Sequence, residues 1–487
     1  MEPIFGLPIS LPPRRSRDLL GAVHRQLRAA ILDGRLQPGL RLPATRALAA
    51  TLGVSRNTIL ASYDLLLSEG YLVVRPGAGT YVANHLPRPI RPAASAADAQ
   101  ADRLLSPFWR KLPAAPHPTL DISYRFDFRL GLSDNASFPF EIWRRLSARA
   151  LRALSKAPAA YAEPEGRPEL RDAIAKHISF ARAVACRAED VVVTAGAQQA
   201  FDLLARILVT PGRTEVAIED PGYPPLRAAF AAAGATMSAI PVDGDGLMVQ
   251  RLPAGTRVVC VTPSHQFPLG AVMPLRRRAA LLDFAEANRA VVIEDDYDGE
   301  FRFGGRPLDA LQTLDRAGSV FYVGTFSKSL FPALRLGFVV APPWARSALV
   351  RAKQLTDWHG AVLAQDTLAA FIAEGHLARH VRKMRKVYGD RRKALLEALA
   401  RLCGDRLQPI PGEAGLHLAV KLTTPLKAKA VVAKVADDGI SLMSLDRFAT
   451  QRPSPNGLAF GYGMIRTEQI DEAIRRLARA MRLELGA

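Results

Sequence analysis

The sequence has 487 residues, 49% of them hydrophobic and 23% charged, with a formal net charge of +19 at pH 7. That length predicts two or three domains, and the apolar content excludes a disordered chain. The basic excess points to a polyanionic partner, most simply nucleic acid. Cys186, Cys260 and Cys403 are far apart and form no metal-type pair. They exclude a disulfide framework and fit a reducing cytoplasm. In MEPIFGLPISLPPRRSRDLL the charges follow the apolar run, the wrong order for a signal peptide. No uncharged apolar run is long enough to cross a bilayer, so no membrane partner is expected.

In chain order, SRDLLGAVHRQLRAAILDGRLQPG reads as an amphipathic helix with Leu20, Val23, Leu27 and Ile31 on one face. Ser16 is placed as its N-cap and Gly34 as its end. Two shorter helices follow, over 45–51 and 56–68, joined by LGVS, with Ser55 capping the second. Helix, glycine turn and helix make a helix-turn-helix. YLVVRPGAGTYVA then reads as a hairpin or wing. A recognition helix presents its N-terminal residues to base edges, here Ser55, Arg56, Asn57 and Thr58. Arg46 is placed to reach a phosphate or a base, and Arg75 sits at the wing. These features define a DNA-binding domain over residues 1–85, in which ten arginines face five acids.

Residues 86–125, rich in Pro and Ala, read as a linker, in which SPFWRK carries two aromatic residues costly to leave wet. From 126 to 487 the pattern alternates. The apolar runs DVVVTAG, EVAIED, RVVCVTP, AVVIEDD and SVFYVGT are separated by helical stretches, which predicts an α/β layer with a largely parallel sheet. Ligands bind such sheets at the carboxyl ends of the strands. Gly196, Ala197 and Gln198 open a helix there and offer N–H groups to a phosphate. Asp295 ends a strand and is placed to hold a protonated ring nitrogen, with the Tyr297 phenol pointing the same way. A metal at that acidic run would need further closely spaced ligands, and none is expected. Lys328, 33 residues beyond Asp295, sits between hydroxyl side chains. A desolvated lysine there can add to an aldehyde. Thr325, Ser327 and Arg335 complete a phosphate cup. Aldehyde, phosphate, phenolic oxygen and pyridine nitrogen together describe pyridoxal 5′-phosphate. The basic run RHVRKMRKVYGDRR, 379–392, reads as a helix with a solvated charged face, with phosphate contacts to bent DNA as the second reading.

Through LPATRALAATLGVSRNTI, LLLSEGYL and GAGTYV, residues 16–83 resemble the winged helix-turn-helix of the GntR family. That resemblance implies DNA contacts from Arg46, Ser55, Arg56, Asn57, Thr58 and Gly77. Through YAEPEGRPELRDAIAKHI, TAGAQQAFDLLARIL, EDPGYPPLR, TPSHQFPLG, IEDDYDGEFRF and GTFSKSLFPALRLGF, the whole chain resembles the MocR/GabR family of regulators. The implied fold is an N-terminal winged helix-turn-helix joined to an α/β domain like the fold-type I pyridoxal-phosphate-dependent transferases, with a smaller C-terminal subdomain. The resemblance implies that Lys328 forms the internal aldimine, Asp295 pairs with the pyridine nitrogen and Tyr297 with the ring oxygen. It further implies that Tyr223 stacks on the ring, Arg335 holds the phosphate, and Arg447 binds an effector carboxylate, with Arg466 as its rival.

Two departures stand out. Phe267 precedes the proline where aminotransferases carry an asparagine, so His265 or Gln266 substitutes, or nothing does. Pro225 stands where some relatives carry an effector-binding arginine. The implied function is a cytoplasmic regulator of operator DNA, sensing pyridoxal phosphate or an amino compound. It would work as a homodimer; relatives exchange their DNA modules between protomers, and the sequence leaves open whether this chain does. An active aminotransferase carrying a DNA-binding domain is the alternative, and an architectural DNA-binding protein the third.

Overall fold

The computed structural model describes residues 9–12, 18–84, 104–111, 124–304, 309–451 and 453–484. The chain divides into two compact units, Met1–Leu112 and Pro113–Ala487.

In the first unit three helices, α1 (Leu19–Leu32), α2 (Thr45–Leu52) and α3 (Arg56–Ser68), precede an antiparallel hairpin of β1 (Leu72–Arg75) and β2 (Gly79–Val82). Val23, Leu27, Ile31, Leu48, Ile59 and Leu66 belong to its core, so most of the helical spacing read from the sequence is buried, and Leu20 is half-buried at the start of α1. Asp18 stands at the N-cap position of α1, and Ser16 lies outside the described residues. Gly53 ends α2 in the left-handed region, at φ 64°, where a side chain would be strained. Ser55 Oγ accepts the Thr58 N–H at 3.1 Å and caps α3. Replacing Ser55 with alanine removes one satisfied donor and costs about 1 kcal/mol. Amide hydrogen exchange is expected to show the first turn of α3 opening more easily by that amount, with α1 unchanged.

Most of the stretch 86–125 lies outside the described residues. Within it Pro107–Lys111 forms a short helix in which Phe108 and Trp109 meet edge to face at 5.5 Å, and Trp109 stays exposed.

The second unit is built on an eight-stranded sheet. Its strands are β3 (Val191–Thr194), β4 (Glu215–Asp220), β5 (Thr236–Asp243), β6 (Gly246–Leu247), β7 (Thr256–Val261), β8 (Val291–Asp296), β9 (Val320–Thr325) and β10 (Gly337–Val340). Their spatial order is β3-β10-β9-β8-β7-β4-β5-β6. The five strands from β9 to β5 in that order run parallel. β10 is antiparallel to both its neighbours, and β6 to β5. Helices Ala197–Leu208, Pro224–Ala232 and Leu275–Asn288 make crossovers. The central strands are covered on both faces: Ile293, Phe321 and Val323 pack with Phe201 and Phe230, while Val259 and Val292 pack with Leu281 and Ala285. Double burial is why these strands read as continuous apolar runs.

A smaller antiparallel sheet of Leu407–Pro409, His417–Leu422, Gly457–Gly461 and Met443–Ser444 follows, with helices Ala428–Asp437 and Thr467–Glu484. The basic run 379–392 lies in the long helix His376–Cys403. Arg379, Arg382, Lys383, Arg385 and Lys386 are exposed, the solvated face expected of it, and Arg391 departs from that face. Arg391 is buried, paired with Asp134 at 2.5 Å and donating to the Gly463 carbonyl at 2.5 Å. Arg385 and Arg392 donate to the carbonyls of Glu300 and Gly412. These three arginines therefore fasten loops, as arginine's forked donors allow. Among the described residues, no helix is long and apolar enough to cross a membrane.

Candidate functional site

The carboxyl ends of β8 and β9, with the turn after β3, open on a cavity of about 240 Å³. Lys328, three residues past the end of β9, reaches into it. Its Nζ donates to the Gly131 carbonyl at 2.7 Å, and a Cβ at Gly131 would stand 3.0 Å from that nitrogen. Gly131 also holds φ 77°, so both its conformation and its close approach favour glycine. Desolvation lowers the Lys328 pKa, against the pull of Asp298 and Asp295, which favour the ammonium. The lowered value raises the share of neutral amine, the nucleophilic form.

Thr325, Ser327 and Arg335 line the same cavity beside Ala197 and Gln198 at the start of their helix. The Thr325 hydroxyl donates to Ser327 Oγ at 3.1 Å and accepts the Ser327 N–H at 3.2 Å. Arg335 donates to the Ala195 carbonyl at 3.0 Å. Gly196 is not itself in the lining but lies directly behind that guanidinium. A Cβ there would come within 2.8 Å of Arg335 Nη2. Two hydroxyls, one guanidinium and a helix N-terminus converge, a donor set suited to a phosphate.

Asp295 is buried, and among the described residues its Oδ1 has no hydrogen-bond partner. Burial, then the neighbouring Asp296 and Asp298, hold its carboxyl pKa well above the usual range. An orphaned buried acceptor calls for a donor from outside the chain, and a protonated ring nitrogen fits that need. Tyr223, 39% exposed, lines the cavity and meets Phe267 edge to face at 5.4 Å. These residues fit pyridoxal phosphate: an amine for its aldehyde, donors for its phosphate and a carboxyl for its nitrogen.

Tyr297 also lines the cavity. Its hydroxyl donates to the His265 carbonyl at 2.9 Å and lies 2.9 Å from His265 Nδ1, which is 3.1 Å from Asp298. Gln266 is committed elsewhere, donating to the carbonyls of Pro221 at 2.9 Å and Phe267 at 2.6 Å. Of the two candidate substitutes for the absent asparagine, neither lines the cavity; Phe267 does. His265 stands one layer back, on the Tyr297 oxygen. His265, Asp298 and His417 bring ligand-type atoms within 4.8 Å of one another, a grouping not expected from their spacing. Their hydrogen bonds already engage those atoms, with His417 Nε2 3.1 Å from the Pro268 carbonyl. Burial pushes the His417 imidazole down to about 3.

Arg447 and Arg466 are exposed, and neither lines the cavity. Arg447 sits on the turn Leu445–Phe448, whose Phe448 packs on Phe267 at 5.1 Å and accepts the Gly222 N–H at 3.1 Å. The Pro225 carbonyl accepts from Gln198 at 3.1 Å. In the first unit Ser55, Arg56 and Asn57 are exposed at the start of α3, Thr58 is half-buried against the Ser55 hydroxyl, and Arg46 is exposed on α2. Arg75 lies over the Tyr81 ring at 4.5 Å, and Gly77, at φ 73°, makes the turn between β1 and β2.

Residues 19–82 match the gntR family of bacterial regulatory proteins, and residues 128–477 match aminotransferase class I and II. The probable rhizopine catabolism regulatory protein MocR of Rhizobium meliloti is 38% identical over 469 residues, covering 95% of this chain and 94% of that protein. The chain belongs to the MocR-type family of transcriptional regulators. This MocR-type chain is also 32% identical to the pyridoxine biosynthesis transcriptional regulator PdxR of Corynebacterium glutamicum, over 94% of each chain. Among solved structures, the kynurenine aminotransferase of Pyrococcus horikoshii superposes with a TM-score of 0.74 at 28% identity, covering 80% of this chain and 100% of that one. The aminotransferase-like part of this MocR-type regulator thus keeps a whole aminotransferase fold.

Several parts of the cavity wall carry little or no signal in the sequence. The Gly131 carbonyl, Asp298, Leu416 and His417 all line it. Asp298 stood in view in DDYDGEF, one residue past Tyr297, and alternation would turn it away from the phenol. The bend after β8 brings it back. Gly131 and His417 carried no local signal.

Proposed function

We propose that this MocR-type regulator holds pyridoxal phosphate on Lys328 and converts the state of that amine into a change in operator binding by its winged helix-turn-helix. When bound, the cofactor supplies an electrophilic carbonyl, an aromatic nitrogen and a phosphate. Lys328 would hold the carbonyl, Asp295 the ring nitrogen, Tyr297 the ring oxygen and Tyr223 the ring face. Arg335, Thr325, Ser327 and the N–H groups after Gly196 would hold the phosphate. An effector amine then competes with the Lys328 amine, and Arg447, on the turn packed against Phe267, is the proposed contact for its carboxylate. The proposed regulator acts in the cytoplasm as a homodimer, whose two recognition helices read two half-sites.

The unpartnered Asp295 Oδ1 in the same cavity as the lowered-pKa Lys328 carries this reading. Borohydride reduction of the protein incubated with pyridoxal phosphate, followed by peptide mapping, tests it. The expected adduct lies on Lys328. An adduct on another side chain, or none, overturns the assignment.

A further inference from the structure

Behind the phosphate cup a line of hydrogen bonds runs outward to a lysine with no exposed surface. Lys353, 0% exposed in helix Arg346–Asp357, pairs with Asp357 one turn on, Nζ to Oδ1 2.5 Å. The other oxygen of Asp357 accepts from Gln199 Nε2 at 2.8 Å. Gln199 Oε1 accepts the Ala195 N–H at 2.7 Å. The Ala195 carbonyl in turn accepts from Arg335 at 3.0 Å.

Each link has one possible polarity. An ammonium and an N–H can only donate, and a carboxylate can only accept, so the Gln199 amide has a single orientation that serves both neighbours. The buried ammonium is costly unless paired, which fixes Asp357. Asp357 fixes Gln199, and Gln199 holds Ala195 from its N–H side while Arg335 holds it from its carbonyl side. Ala195 leads directly into Gly196, Ala197 and Gln198. The guanidinium and the helix N-terminus are thus tied to a chain of contacts whose members before Arg335, from Lys353 to Ala195, stand outside the cavity lining.

We infer that Asp357 and Gln199 are positioning residues for the cofactor phosphate, holding Arg335 and the Ala195–Gln198 turn in the geometry that the phosphate needs. This rests on the reading of Arg335 and that turn as the phosphate cup. Neither residue touches the ring-binding groups, so their effect is confined to the phosphate end.

Affinities of the full chain for pyridoxal 5′-phosphate and for pyridoxal, which lacks the phosphate, separate this role from general damage. Gln199→Ala removes the middle link without stranding a buried charge, and Asp357→Asn sets an amide donor against donors. Both variants are expected to bind pyridoxal phosphate at least tenfold more weakly and pyridoxal within twofold of the unaltered protein. Arg335→Ala is the reference and should show the same selective loss. Equal weakening for both ligands in Gln199→Ala, or none for either, overturns the positioning role when Arg335→Ala does discriminate. If Arg335→Ala also fails to discriminate, the phosphate cup itself is misassigned and the inference falls with it.

Discussion

Lys328→Ala is expected to weaken pyridoxal phosphate binding about a hundredfold or more, equivalent to about 3 kcal/mol. It should also leave operator affinity unresponsive to amines that shift it in the unaltered protein. Among the described residues Lys328 is the only lysine lining the cavity. Electrophoretic mobility shifts with operator DNA, with and without amine, measure the second effect, and cofactor absorbance measures the first. If operator binding by Lys328→Ala still responds to the same amines, the lysine is not the sensor. The cofactor-free protein gives an independent check. The lowered pKa of Lys328 means that the native state sheds this proton before the unfolded chain does. Between the lowered value and the unfolded value near 10.5, the unfolded state binds more protons, so this group adds stability as pH rises. Lys328→Ala lacks that increment, and its stability relative to the parent should fall across the alkaline range.

The parts of this molecule that were legible beforehand are those set by local pattern. The bounds of α3 follow from Ser55 as a cap and from Ile59, Tyr63 and Leu66 at helical spacing. The central strands follow from runs such as VVIEDD, buried on both faces. Asp295, Tyr297 and Lys328 could be placed at strand ends, because strand ends are where α/β sheets bind ligands. What was hidden depends on pairing between distant segments. β10 carries the run GFVV, which reads as a strand of either direction. Its antiparallel place between β3 and β9 is decided by the short connection through Arg335, not by composition. The contact of Tyr297 with His265, the carbonyl of Gly131 on Lys328, and the tie from Asp357 to Gln199 join residues 32 to 197 positions apart. One residue of the basic helix was hidden for a similar reason. Arg391 looks like any solvated arginine until the fold places Asp134 against it.

Asp295→Asn should move stability and cofactor affinity in opposite directions. Asp295 is buried with one oxygen unpartnered among the described residues, and its pKa is raised well above the usual 3.8, chiefly by burial. Between the unfolded value and the raised native value, the native state keeps a proton that the unfolded chain has lost. The unfolded state binds fewer protons there, so stability declines as pH rises through that window. Asparagine does not titrate. The cofactor-free variant is therefore expected to unfold at a higher temperature than its parent at pH 8, and to lose most of that advantage near pH 4. For the cofactor the sign reverses. A carboxylate facing a protonated ring nitrogen makes a charge-assisted hydrogen bond of about 1.5–3 kcal/mol. An amide presents either a neutral acceptor or a competing donor. Binding of pyridoxal phosphate should weaken by roughly 10- to 100-fold. The loss of a negative neighbour also lowers the Lys328 pKa further, since Asp295 is one of the two carboxylates supporting its ammonium. The variant should therefore still yield a borohydride adduct on Lys328 at saturating cofactor, which separates weak binding from a lost nucleophile. A variant no more stable than its parent at pH 8, with unaltered cofactor affinity, would show that Asp295 is an ordinary buried carboxyl and that the ring nitrogen is held elsewhere.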